Sequence, residues 1–523
     1  MNVIRQWLLF DRTDLCTGTS EYRFDEKRIT ERGRKTAQVL HDFWNFCMEV
    51  GPEHGAYPLR VPSGIRFEPE WPRILPPLFS LDEPWEQGVL GYVSALFDPS
   101  DKLYKVWYGC KVPKTAGPLT DACGEVVARD TLTLYAESKD LVTWNKPELG
   151  IVFCGGRNTN AVDHHFGEGS VFLDDEHPET GRIKAVNADS NDNPDLSPVE
   201  RVNLFLYGSD DGFRFRRIPT DPLHYFFDTQ NVVYYDKALG KYVAYLRGHY
   251  NGRAIQRAEA DDIHHLPMPQ ILLFPDNEDP IDCDYYNNAC TVYPYDPNYR
   301  IMLPSIYYHC GDELDIRMAF SRNGRQFQWV SREPIISHTD EAGGYFSASY
   351  ACPHMLPVEG GVAVLLRSLA WLHNDGYFAD LYDDFDVSDQ GIRMAVWEKD
   401  RLAGIVADGI GEFWMQMKIP AGARLQVNVK TAGQGILRVG LENQRERVSL
   451  QRYSPEECDA IRGDAAWRDV TWHGKGEIPA TAEGRETFVH FRLEHGKLFG
   501  VRLVSDTDAA EDQGGERIVS AHL

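Results

Sequence analysis

Four stretches put carboxylates at the opening of an extended, largely apolar run. They are Glu86 in "DEPWEQGVLGYVSALFD", Asp163 in "AVDHHFGEGSVFLDD", Asp228 in "FFDTQNVVYYD", and Asp282 with Asp284 in "PIDCDYYNNACTVYPY". A strand opening lies at the end of its sheet, where a side chain can reach a ligand. Two or three carboxyls gathered in one place suit cleavage of a glycosidic bond: one protonates the leaving oxygen, and another activates water or attacks the anomeric carbon. Asp228 is assigned as general acid, Glu86 as base or nucleophile, and Asp163 and Asp284 as groups that orient it or set its pKa. The competing reading of each acid is a turn, a cap or a salt bridge.

Around these acids stand residues suited to holding a ligand. Trp85, Tyr285, Tyr286 and Tyr345 offer apolar walls, and His165, Gln230, Asn231, Arg247 and Asp282 offer polar contacts. Arg247 and Arg253 are the cations that a phosphate or an acidic sugar would require. The pairs His164-His165 and His264-His265 do not read as metal ligands, because neighbours on a strand point to opposite faces. Cys283 sits between two aspartates, with no histidine paired to it by motif. No metal and no cofactor is expected.

The elements that position these residues repeat. "LYAESKDLVTW", "FLYGSDDGFRF", "IQRAEADDIHH" and "RMAFSRNGRQFQW", and more weakly "RMAVWEKDRLAG", each follow a hairpin such as "YYDKALGKYVAYL". In the shared pattern Ser ends a strand, Asp or Asn makes the turn, and an aromatic opens the next strand. Asp140, Asp211, Asp262 and Asn323 are therefore turn residues. Each unit supplies about four strands, and such units arranged radially form the blades of a propeller. The innermost strand of each blade runs along the central channel, so the acids at strand openings meet at one mouth.

The sequence reads as all-β: an N-terminal extension over 1–79 with one helix near 29–50, a five-bladed propeller over 80–409, a β-sandwich over 410–507, and an acidic tail over 508–523. The chain has 523 residues and a formal charge of −25, with 79 acidic against 54 basic residues. That balance opposes nucleic acid and anionic membrane as partners. Ten scattered cysteines, and no apolar run long enough for a signal or a membrane span, make the cytoplasm the expected location. The expected partner is a carbohydrate substrate, with a homo-oligomer left open.

Over residues 80–405 the chain resembles the five-bladed propeller glycosidases, the superfamily of arabinanase, β-xylosidase, levansucrase and invertase. "PWE", "YAESKDLVTWNKPELG" and "DTQNVVYYDKALGKYVAYLRG" carry the resemblance, which is nearest to an uncharacterised bacterial group. It implies catalytic acids on the inner strands of the first blades, typically Asp, Asp and Glu. The matching positions are Glu86, Asp163 and Asp228, with Glu for Asp in the first blade and Asp for Glu in the third. The invertase motifs W-M-N-D-P-N-G and R-D-P are absent, and Glu457-Cys458 is a chance match in the C-terminal region. The function read from the sequence is a glycoside hydrolase acting on a small or exo-positioned glycan. A glycoside phosphorylase and a non-catalytic glycan-binding propeller are the alternatives.

Overall fold

The computed structural model describes residues 2–16, 62–167, 169–190, 197, 201–338, 347–378, 386–420, 422–442, 449–478 and 487–505. The helix expected near 29–50 and the tail 508–523 lie outside them. The chain divides into two compact units, Pro69–Lys399 and Met1–Glu68 with Asp400–Leu523. Among the described residues the only α-helix is Asp375–Phe378, and no helix is long and apolar enough to cross a membrane.

Unit Pro69–Lys399 is a succession of mainly antiparallel, mainly meandering sheets, with one parallel pairing between Glu313–Ile316 and Ala348–Ala351. The first runs Leu90–Asp98, Leu103–Lys111, Thr131–Ser138, Trp144–Asn145. The second is Ser170–Leu173, Ile183–Ser190, Val202–Ser209, Arg216–Ile218, and the third Val232–Asp236, Lys241–His249, Arg253–Ala260, Gln270–Leu273. The fourth is Thr291–Val292, Arg300–Met302, Ala319–Ser321, Gln328–Trp329. Its central hairpin continues through Ser305–Tyr308 and Glu313–Ile316, where Cys283–Tyr285 pairs with it. In the fifth, Ala348–Ala351 and Leu356–Val358 both pair with Gly361–Leu369, followed by Gln390–Glu398 and then Arg73–Ile74. This last sheet is thus completed by a strand from the segment the sequence reading leaves in the N-terminal extension.

The central strands are buried along nearly their whole length, because both faces of each sheet are covered. The apolar clusters lie between successive sheets. Leu96, Trp107 and Tyr135 of the first pack with Val171, Ile183 and Phe205 of the second. Val93, Val106 and Leu134 of the first pack with Leu356, Leu365 and Ile392 of the fifth.

Polar side chains tie the same neighbours. Asp98 ends the first strand of the first sheet and accepts two bonds of 2.8 Å from Arg182 of the second. Asp174 ends the first strand of the second sheet and accepts from the Tyr242 hydroxyl of the third at 2.5 Å. Asp236 ends the first strand of the third and accepts from Arg300 of the fourth at 2.7 and 2.5 Å. The Tyr295 hydroxyl, beside the fourth sheet, donates to Gly361 O of the fifth at 2.9 Å. The Tyr104 hydroxyl of the first donates to Pro357 O of the fifth at 2.7 Å. The succession closes on itself.

Asp140, Asp211, Asp262 and Asn323 share one local structure. Asp140 Oδ1 accepts from the amides of Val142 and Thr143, Asp211 Oδ1 from Phe213 and Arg214, Asn323 Oδ1 from Arg325 and Gln326, and Asp262 Oδ1 from His264. Ser138, Ser209 and Ser321 donate to the first three. Each is an Asx turn that reverses the chain into the outermost strand.

In the other unit, one hydrogen-bonded sheet joins Arg66–Pro69, Ala403–Met417, Thr487–Ser505, Arg424–Glu442 and Asp464–Asp469 in that order, and Asn2–Leu8 also pairs with Thr487–Ser505. Register shifts between Ala407 and Ile410 and between Thr431 and Ile436 bend its long strands. A single core backs it, with Phe413 and Phe491 stacked at 4.9 Å.

Removing one partner of a buried ion pair strands the other charge without water. Asp236 and Arg300 are both 1% exposed in their side chains. Asp236→Ala should therefore lower unfolding free energy by about 3–5 kcal/mol, whereas Asp211→Asn, in an outer turn, should cost about 1 kcal/mol or less. Urea denaturation of both variants checks this. Equal losses would mean that the Asp236 pair is not holding the sheets together.

Candidate active site

A cavity of about 350 Å³ opens where the first strands of the sheets begin. Tyr92 reaches it from the first sheet, His165 from the turn before the second, and Asp228 from the turn before the third. Tyr286 reaches it from the segment after Cys283–Tyr285, and Tyr350 and Arg367 from the fifth sheet. Lys111, Thr131 and His373 complete its polar lining.

The polar opening "DTQN" divides its labour. Asp228 faces the cavity with its side chain 39% exposed. The Thr229 hydroxyl donates to Tyr286 O at 3.1 Å. Gln230 Nε2 donates to Val93 O at 2.7 Å and Gly169 O at 3.2 Å, joining the openings of the first and second sheets to the third. Asn231 Nδ2 bonds Phe227 O and Thr229 O, and its Oδ1 accepts from the Arg247 amide. One of the four residues opens to a ligand; the other three fix its position.

Beneath Asp228 lies Arg247, whose side chain is 1% exposed. Its Nη2 donates to Tyr286 O at 2.8 Å, its plane lies 4.8 Å from the Tyr286 ring, and its Nη1 stands 3.9 Å from Asp228 Oδ2. Arg253 pairs with Asp284 Oδ2 at 2.9 Å and lies over Tyr286 and Tyr307. The approach of that loop depends on Gly252, at φ +119°, where a Cβ would stand 2.4 Å from Asp284 Oδ1.

Burial, followed by the positive charge of Arg367, brings the His373 imidazole down to about 4. Burial, with Arg129 nearby, does the same to His165. Both are neutral near pH 7. Burial and the neighbouring Tyr286 and Tyr350 push the Tyr92 hydroxyl well up, so it remains a protonated donor.

The structure brings together Asp228, His165, Arg247 and Tyr286 of the residues singled out in the sequence, with Gln230 and Asn231 as their supports. Asp284 stands behind the cavity wall, held by Arg253 and, at 3.0 Å, by His309 Nε2. Glu86 is elsewhere: it is fully buried, paired with Lys146 at 2.7 Å and the Tyr108 hydroxyl at 2.6 Å, and lines a separate recess near Phe79 and Gln390. Its short Pro84–Glu86 turn precedes the strand, which begins only at Leu90, so Tyr92 takes the place expected for Glu86. Asp163 is turned away to accept from the Phe215 amide at 3.0 Å, leaving His165, two residues on, at the cavity.

Trp85 is buried with its Nε1 on Asn160 Oδ1, and Tyr285 is buried with its hydroxyl on Asp279; neither lines the cavity. Asp282 is half-buried, accepts from the Cys310 amide at 3.3 Å and does not line the cavity. Tyr345 lies outside the described residues. Burial pushes the Cys283 thiol up to about 11, which leaves it protonated. Sequence reasoning passed over Tyr92, Tyr350, Arg367 and His373. Arg367 did leave a signal: it ends the apolar run "VAVLLR" in a second strand, as Arg247 ends "YVAYLR".

No family model matches this chain, and no curated protein matches it in sequence. Among solved structures it is similar to an α-L-arabinofuranosidase from Podospora anserina in complex with cellotriose, at 10% identity and TM-score 0.39, covering 63% of this chain and 98% of that one. It is similar to a Bombyx mori GH32 β-fructofuranosidase in complex with sucrose, at 11% identity and TM-score 0.37, covering 91% and 98%. A Penicillium chrysogenum α-L-arabinanase complexed with arabinobiose aligns at 10% identity and TM-score 0.33, covering 64% and 98%. At these scores none of the three assigns an activity to this chain.

Neutral buried histidines make stability depend on pH. His165, His354 and His373 each sit at about 4 when folded against an ordinary 6.5, so the unfolded chain binds more protons between those values. Their contribution is complete above pH 6.5 and is lost as pH falls toward 4, by about 1–2 kcal/mol each at pH 5. Melting temperature should fall from pH 7 to pH 5, and fall less steeply in His373→Gln. Parallel curves for the two proteins would show that His373 is not held neutral.

Proposed function

We propose that the chain is a carbohydrate-active enzyme that cleaves a glycosidic bond in this cavity. In this reading the five sheets are the blades of a five-bladed propeller, and the bent sheet of the other unit folds into a β-sandwich. One observation carries the reading: Asp228 is the single carboxylate among the described residues lining a cavity otherwise walled by Tyr92, Tyr286 and Tyr350. Tyrosine rings offer flat apolar faces to the C–H faces of a sugar, and their hydroxyls offer hydrogen bonds to its edge. A cavity of about 350 Å³ suits one or two sugar rings, hence the end of a glycan.

Asp228 is the proton-transferring group. It gives its proton to the leaving oxygen as the bond to the anomeric carbon lengthens, and recovers one from the attacking group. Arg247, fixed by Tyr286 O, steadies the carboxylate formed when the proton leaves. Asp284 holds Arg253 against the Tyr286 ring and so positions that wall. Glu86 and Asp163, with their oxygens engaged elsewhere, have no part in the chemistry. The arginines at the cavity, Arg367 in its lining and Arg247 beneath Asp228, favour attack by an anionic oxygen nucleophile such as phosphate as the second reading.

Asp228→Asn keeps the side chain's shape and removes its proton transfer. On a panel of arabino-, xylo-, galacto- and fructo-oligosaccharides, turnover should fall by about 10²–10⁴-fold with melting temperature nearly unchanged. Near-normal turnover in Asp228→Asn would overturn the assignment. Binding across the panel without turnover by the wild type would make the protein a glycan-binding module.

A further inference from the structure

Among the described residues, Arg367 is the cavity cation left without an anion. Its guanidinium lies 4.7 Å from the Tyr350 ring and 5.6 Å from the Tyr92 ring, and its buried Nε has no hydrogen-bond partner. No carboxylate among the described residues pairs with it. The other arginines near the cavity each meet an acceptor, although Arg247 Nε and Nη1 and Arg129 Nε also lack hydrogen-bond partners: Arg253 meets Asp284, Arg247 meets Tyr286 O with Asp228 alongside, and Arg129 meets Asp163 O. Arg367 is only partly buried, and its Nε is the guanidinium atom enclosed without a partner; the two rings offset part of the cost of taking that side of the guanidinium from water. It remains charged at any working pH, and its fork matches the paired oxygens of a carboxylate or phosphate. Neutral His373 beside it, and neutral His165 elsewhere in the lining, can bond an oxyanion without adding charge. In a chain of formal charge −25, a cation lining a cavity with no acid paired to it among the described residues runs against the general field.

We infer that the Arg367 side of the cavity is an oxyanion subsite, closed by the Tyr92 and Tyr350 rings and His373, that takes a phosphate or the acid group of a charged sugar. The inference shares its cavity with the function proposed above, but its primary test is binding and needs no turnover. If inorganic phosphate is the occupant, it acts as co-substrate. Asp228 protonates the glycosidic oxygen, the bond from that oxygen to the anomeric carbon breaks, a phosphate oxygen bonds that carbon, and the phosphate's proton returns to Asp228. If the occupant is a sugar carboxylate, Arg367 selects the substrate and does not react.

Isothermal titration of the full chain with inorganic phosphate, methyl glucuronide and neutral methyl glucoside separates these cases. Phosphate or the glucuronide should bind about tenfold or more tightly than the glucoside. Arg367→Met, which keeps the apolar stem between the rings, should weaken that binding about tenfold or more, with Arg367→Lys intermediate. Sugar release that requires phosphate would identify the co-substrate. Preference for the glucuronide without phosphate dependence would identify the substituent. Anion binding without any turnover would end the glycosidase reading and leave the subsite standing. The subsite is overturned if neither anion binds the wild type, or if a folded Arg367→Met protein binds as the wild type does. The arginine would then be only a strut between two tyrosines.

Discussion

The arrangement depends on buried carboxylates at the far ends of first strands. Asp98, Asp174 and Asp236 each close the hairpin of their own sheet and receive a donor from the next, so one side chain sets both a local turn and a long-range contact. Apolar packing between sheets is strong but tolerates sliding, because it has no direction. A carboxylate held by the Arg300 fork accepts one geometry and is costly to leave unpaired. These links therefore decide how neighbouring sheets are registered. Since the opposite ends of the same strands bear the cavity, they also decide whether Tyr92, Asp228 and Tyr350 meet.

At the cavity end, the linking is done by amides and hydroxyls. Gln230 reaches the carbonyls of Val93 and Gly169, and Thr229 reaches that of Tyr286. Neutral groups suit this place. A charge there would alter the field at Asp228, whereas an amide satisfies buried carbonyls without doing so. The polar cost of the opening "DTQN" is thus spent on holding the openings of adjacent sheets together, with one carboxylate left free of close bonds.

Much of this was legible in the sequence where the signal is local. The Asx turns at Asp140, Asp211 and Asn323 need only a serine two residues before and amides two and three residues after, so a pattern of seven residues reveals them. Asp228 was legible for a related reason: a polar run opening a buried strand has few places to go. Glu86 and Asp163 looked equivalent because their neighbours in sequence look equivalent. What separates them is a Lys146 that arrives from 60 residues away and a Phe215 amide from 52, distances no local pattern carries. The aspartates that close the first-strand hairpins were visible as letters in "LFDPSDK", "FLDDEH" and "YYDKALG", but their partners belong to the next repeat.

The same reasoning explains why Arg367 matters more than its place in an apolar strand suggests. Strand-end arginines recur at Arg247 and Arg367, and both lie against tyrosine rings. They differ in what stands opposite: Arg247 has a carbonyl at 2.8 Å and a carboxylate at 3.9 Å, and Arg367 has neither among the described residues. Arg247 and Arg253 lie over Tyr286, each with an acid near its fork, whereas Arg367 lies over Tyr92 and Tyr350 with none among the described residues. Without such an acceptor among the described residues, Arg367 presents a fixed positive charge to the cavity it lines. The charge is pre-positioned by two rings and registered by the buried carboxylates at the strands' other ends, so an arriving anion finds it already in place.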